Sequence, residues 1–120
     1  MKARMGRHMS VRMIAKFAAV AAVLGSIAVP AAADDSGFAY MHDLRKEGGR
    51  TCFTDHYHYG NGSGATKASA QRDAIGSWQS FTDFEYGSDW ARFSKAASKG
   101  ISCSNGSSGV DCQVQARPCK

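Results

Sequence analysis

The apolar and polar positions change period several times along the chain. Residues 17–29 (FAAVAAVLGSIAV) are one unbroken apolar run. Residues 38–59 alternate, with Gly48-Gly49 in the middle, which predicts a β-hairpin on a two-residue turn. If the two glycines centre the turn, Leu44 faces Phe53, Tyr40 faces Tyr57 and Phe38 faces Tyr59, giving an aromatic ladder on one side. A slip of one residue would destroy that ladder. The competing reading is a helical turn over 40–46.

Gly60-Asn61-Gly62-Ser63-Gly64 reads as a flexible breaker. From Lys67 to Tyr86 the period becomes helical. Ala70, Ala74, Ile75, Trp78 and Phe81 recur at spacings of three and four, Thr66 is placed to cap the start, and Gly87 stops the end. Ser88 can open a short second helix with Trp90 and Phe93 on one face. Residues 97–118 alternate again around the Ser104–Gly109 loop. With Cys103 opposite Cys112, Ile101 faces Val114 and Lys99 faces Ala116. The expected fold is α+β: a small antiparallel sheet of two hairpins, one long and one short helix on one face, and two disulfides.

Charge divides the chain in two. Its 120 residues carry 15 Lys plus Arg and 10 Asp plus Glu, a net +5. Five of the fifteen bases lie in the first 16 residues and no acid precedes Asp34, so ten bases and ten acids remain beyond and cancel. This weighs against nucleic acid as a partner, because a binding track needs clustered cations. A basic start, a short apolar run and Ala31-Ala32-Ala33 describe a secretory signal peptide over 1–33. Lys16 and Asp34 bracket 17 residues, fewer than the roughly 20 of a membrane span. The expectation is an exported chain, periplasmic or extracellular, whose mature domain is 34–120 and carries no transmembrane span.

Export decides how the cysteines read. Cys52, Cys103, Cys112 and Cys119 are an even set in an oxidising compartment, where disulfides are the default and three pairings are possible. No C-x-x-C pair supports a zinc cluster. If Cys103 pairs with Cys112 across the second hairpin, Cys52 is left for Cys119; the sequence leaves the three pairings open.

Four motifs, C-F-T-D-H-Y-H-Y-G (Cys52–Gly60), A-I-G-S-W (Ala74–Trp78), Y-G-S-D-W-A-R-F (Tyr86–Phe93) and C-Q-V-Q-A-R-P-C (Cys112–Cys119), span nearly all of the mature part. In these the chain resembles small exported alphaproteobacterial proteins. The resemblance implies export and a disulfide-stapled fold, and assigns no catalytic residue. The strand–helix–strand–strand order is also similar to dodecin-like βαββ units, which carries no function.

Three constellations carry candidate chemistry. On a strand, His56 and His58 share a face about 6–7 Å apart and can hold zinc, copper or nickel; a third ligand is needed, and Asp43 is the nearest acid on that face. The plain alternative is an exposed polar strand. His42 and Asp55 face one another across the hairpin on the other side, the supporting pair of a nucleophilic triad, and no G-x-S-x-G elbow supplies the nucleophile. Gly60-x-Gly62-x-x-Ala65 copies a dinucleotide turn without its second parallel strand, leaving a weak anion site at the helix start with Lys67. The back of the sheet, with His56, His58, Gln113, Gln115, Arg117, Ser98 and Ser102, is a candidate face for a protein or glycan partner. Arg72, Asp73, Asp83, Glu85 and Asp89 mix both signs, as a solvated face does. The leading expectation is a small non-enzymatic binding or envelope-associated module. Metal binding through His56/His58 and a small hydrolase built on His42/Asp55 are its rivals.

Overall fold

Residue Thr66 turns the chain into a long helix. Its hydroxyl accepts from the Ser69 backbone N–H, and Ser69 returns the contact to the Thr66 N–H, so the first turn is closed by a reciprocal cap. In the computed structural model, which describes residues 35–120, this helix (α1) runs Lys67–Tyr86 and ends at Gly87, whose N–H bonds to the Asp83 carbonyl. Five strands accompany it: β1 (Leu44–Glu47), β2 (Arg50–Phe53), β3 (His58–Gly64), β4 (Ala97–Asn105) and β5 (Val110–Arg117). The signal-peptide expectation for 1–33 lies outside the described residues.

The fold is α+β with two antiparallel sheets: a β1–β2 hairpin, and a three-stranded sheet in the order β3-β5-β4 with α1 against it. The expected single sheet is therefore divided. The first hairpin has the expected register around Gly48-Gly49, with Leu44 opposite Phe53, but it stops at Leu44 and Phe53. The Tyr40–Tyr57 and Phe38–Tyr59 pairs do not form. Gly37, at φ 82°, opens a 3₁₀ turn over Phe38–Met41 instead, and the ring of Tyr40 meets Trp90 edge-on at 6.1 Å.

Beyond Phe53 the chain bends and joins the other sheet, and the segment expected to be a flexible breaker is a strand. The reason lies on α1. A Cβ on Gly62 would lie 2.6 Å from the Ala70 carbonyl oxygen, and one on Gly60 2.8 Å from the Trp78 Cβ. Glycine lets β3 approach the helix backbone so closely that Ala70, Ala74 and Trp78 are fully buried with Val114 and Ala116 of β5. Phe81, expected in this core, is half exposed.

The second hairpin pairs Ile101 with Val114 and Cys103 with Cys112, as expected. The Lys99–Ala116 pair is broken by a bulge between Ala97 and Gly100, where Ser98 takes φ 51°. Ala116 pairs with His58 on its other side. The expected second helix is two 3₁₀ turns, Ser88–Trp90 and Phe93–Lys95, and Ser88 makes no side-chain cap there. Its two aromatics part company. Phe93 joins the α1 core, and Trp90 joins Ala39, Phe53 and Tyr86 in an aromatic cluster over the first hairpin.

Disulfides Cys103–Cys112 and Cys52–Cys119 are both formed. The second joins β2 to the C-terminal segment, where the backbones of Thr51 and Lys120 exchange hydrogen bonds and the Phe53 N–H bonds to the Pro118 carbonyl. Arg117 makes the same junction with side chains. Its buried guanidinium takes both carboxylate oxygens of Glu47 (2.7 and 2.8 Å) and also donates to the Phe53 carbonyl and to Ser98 Oγ. The bulge is thus what presents Ser98 to Arg117.

Candidate metal centre

Helix α1 buries one stripe, Ala70, Ala74, Trp78, Thr82 and Tyr86. The stripe turns polar where it leaves the three-stranded sheet, and there it meets three histidines. Trp78 ties the segment down, its indole N–H bonding to the His58 carbonyl at 3.0 Å. The Thr82 hydroxyl donates to the Trp78 carbonyl at 2.7 Å, which uses its single proton. Its oxygen, 3.0 Å from His58 Nδ1, must therefore accept. His58 is held as the Nδ1–H tautomer, and Nε2 presents a lone pair.

That lone pair does not face water, because His58 is 2% exposed. It faces His56 Nε2 at 3.1 Å and a Glu85 carboxylate oxygen at 3.1 Å. These three donors lie within 4.8 Å of one another. Burial pushes the His58 pKa down to about 4 despite the opposing pull of Glu85. Burial, and then the neighbouring His42, lower that of His56 as well. The lowering at His58 weighs against a charged ring at neutral pH, so its 3.1 Å contact with Glu85 is not a simple ion pair.

Tyr86 stands beside the triad. Its hydroxyl is 3.2 Å from His56 Nε2 and 3.1 Å from His42 Nε2. Burial, and next Glu85, raise its pKa to about 12, so the phenol keeps its proton and acts as a donor. His42 stacks on His56 with ring centroids 4.6 Å apart.

Three expectations change here. The hairpin alternation puts His42 on the opposite face from the other histidines, but it stacks on one of them, because the 3₁₀ turn over Phe38–Met41, closed by the His42 N–H on the Ala39 carbonyl, takes the chain out of the hairpin just before Asp43. The His42/Asp55 dyad is not assembled: His42 engages Tyr86, while Asp55 is exposed and makes no side-chain hydrogen bond or ion pair among the described residues. The third donor at the histidine pair is Glu85 and not Asp43, which is exposed. The mixed-charge pattern of the sequence puts Glu85 on a solvated face, and the structure turns it toward the histidines. The available signal was its helical spacing, since Trp78, Thr82, Glu85 and Tyr86 recur at four, three and one.

The proposed back face divides. His58 pairs with Ala116 on the helix side of the sheet, Gln113 and Gln115 are exposed on β5, and Arg117 is buried against Glu47. At the helix start, the Ser63 N–H is taken by Asp73 and the Ser69 N–H by the Thr66 cap, so neither is free for an anion. A second grouping, Glu47 with Cys52 and Cys119, has its sulfurs joined in a disulfide and its carboxylate bound by Arg117.

No protein family, curated protein or solved structure matches the chain.

Proposed function

We propose that this chain is a small exported metal-binding module that holds one divalent transition ion on His56, His58 and Glu85. One observation carries the reading: the His58 Nε2 lone pair, its tautomer set by Thr82, converges at 3.1 Å on both His56 Nε2 and Glu85 Oε2. Donors about 2.0–2.1 Å from a tetrahedral ion stand about 3.3 Å from each other, close to this spacing. Thr82 is the outer partner that a ligating imidazole needs on its other nitrogen. Two imidazoles and a carboxylate suit zinc, copper(II) or nickel.

Export is supported by the two disulfides, which belong to oxidising compartments, and by the basic and apolar leader sequence. Among the described residues no helix is long and apolar enough to cross a membrane.

Calorimetric titration of the purified, oxidised protein with zinc at neutral pH tests the proposal. One equivalent is expected to bind, and His56→Ala and Glu85→Gln are each expected to weaken it by at least about tenfold. Both positions are partly exposed, so these variants keep the fold; near-ultraviolet circular dichroism checks this. No binding, or an affinity unchanged in the double variant, overturns it.

A further inference from the structure

Beside the triad, an open cavity of about 550 Å³ is lined by Phe38, Met41, His42, Phe84, Glu85 and Tyr86. Three of these are large apolar side chains left in water: Phe38 is 61% exposed, Met41 80% and Phe84 87%. Apolar groups gathered around one cavity mark a binding surface more often than single exposed residues do.

Geometry and charge say what would lie there. Three protein donors leave a tetrahedral ion one further position. His58 lies buried beneath the site, backed by Thr82 and Trp78, whereas the Glu85 side chain is 37% exposed and lines the cavity, so the further position opens on the cavity side. A divalent ion on two neutral imidazoles and one carboxylate keeps a net charge of +1. A water would complete the coordination and leave that charge in place, whereas a monoanion both completes and neutralises the site. With His56 Nε2 bound to the ion, the Tyr86 hydroxyl is released to donate to an oxygen of that anion or to His42. The apolar walls would take the body attached to it.

Resting on the metal reading above, we propose that the physiological ligand is a small apolar monoanion, an aryl or branched-alkyl carboxylate or similar acid. Its head binds the metal and its body lies against Phe38, Met41 and Phe84.

Hydroxamates bind metals as monoanions, so benzohydroxamate and acetohydroxamate probe the body separately from the head. On the zinc-loaded protein the phenyl compound is expected to bind about tenfold tighter or more, from burial of its ring. Phe84→Ser is expected to shrink that preference to less than about threefold and to leave zinc affinity within about twofold, because Phe84 is not a metal donor and is exposed. Equal binding of the two probes, or a preference that survives Phe84→Ser, overturns the proposal while the metal reading stands. Failure to take up zinc removes the metal reading itself. Zinc-loaded protein that sediments as a dimer, and as a monomer after Phe84→Ser, assigns the apolar walls to a second copy and also overturns it.

Discussion

The two halves of the molecule are held by opposite means. Around α1 and the three-stranded sheet, small residues bring backbones together: Gly60 and Gly62 leave no room for a methyl group against the helix that buries Ala70 and Ala74. Around the β1–β2 hairpin, large rings fill space: Phe53, Tyr86 and Trp90 meet at centroid distances of 4.9 and 5.3 Å, and the half is fastened to the rest by Arg117 and Cys52–Cys119. The first half is stabilised by close approach, its one disulfide (Cys103–Cys112) lying within its own β4–β5 hairpin, and the second is fastened to the rest by cross-links. The histidines sit at the seam, where α1 runs out of sheet to pack against and offers Thr82, Glu85 and Tyr86 to a segment arriving from the hairpin. A polar cluster can be desolvated there because both halves wall it in.

The difference can be broken on either side. The largest effect is expected from Gly62→Ala, whose methyl group meets the α1 backbone rather than a movable side chain. Overpacking of this kind costs about 3 kcal/mol. For a domain this size that lowers the thermal midpoint by more than 10 °C at about 4–8 °C per kcal/mol. A loss of under about 1 kcal/mol in a urea melt would show that the close approach matters little. Gly76, with nothing near its missing Cβ, is the control, and Gly76→Ala is expected to be neutral or stabilising.

A smaller loss, about 2 kcal/mol, is expected from Glu47→Ala, which leaves the buried Arg117 guanidinium without its carboxylate. The figure is below that for a fully buried pair because Glu47 is partly exposed. Hydrogen exchange should then rise in β1 and β2 first, while α1 stays protected. Uniform loss of protection would mean that the two halves do not open separately.

Acid sharpens the comparison in two smaller steps. His58 is held near 4 against 6.5, mainly by burial, and Glu47 near 2 against 4.5, mainly by Arg117. Both folded values are depressed. Each group therefore contributes stability that is fully present above its ordinary value and is lost as pH falls towards the folded one. In metal-free protein the melting temperature is expected to be level from about pH 7 to about pH 10, above which the raised Tyr86 begins to cost stability. It should fall between 6.5 and 4 as the seam is protonated, and fall again below 4.5 as the Arg117 clamp is lost. His58→Gln should shrink the first step to the part that the lowered His56 contributes, and keep the second. A single step starting only below 4.5 would contradict the desolvated His58.

Much of this was legible in the residues, and the exceptions share a cause. Helix α1 shows in sequence because Thr66, the apolar spacing and Gly87 agree, and both hairpin registers show because Gly48-Gly49 and Cys103/Cys112 anchor them locally. Strand β3 does not show, because alternate positions are glycine and its β period is written in missing side chains that only the facing helix explains. The division into two sheets is equally hidden: nothing local at Thr54-Asp55 says that the next strand pairs with β5 rather than β2. At the candidate metal centre, His56 and His58 stand out by spacing, whereas Glu85 is 27 positions beyond His58 and looks like any helix-surface acid. Its role depends on where α1 ends relative to β3, a tertiary fact.

The most direct test of the account is diffraction from zinc-soaked crystals of the oxidised protein, recorded at the zinc absorption edge. One anomalous peak is expected at the seam, about 2.0–2.2 Å from His56 Nε2, His58 Nε2 and a Glu85 carboxylate oxygen. A seam without a peak, or zinc found only on other side chains, would contradict it.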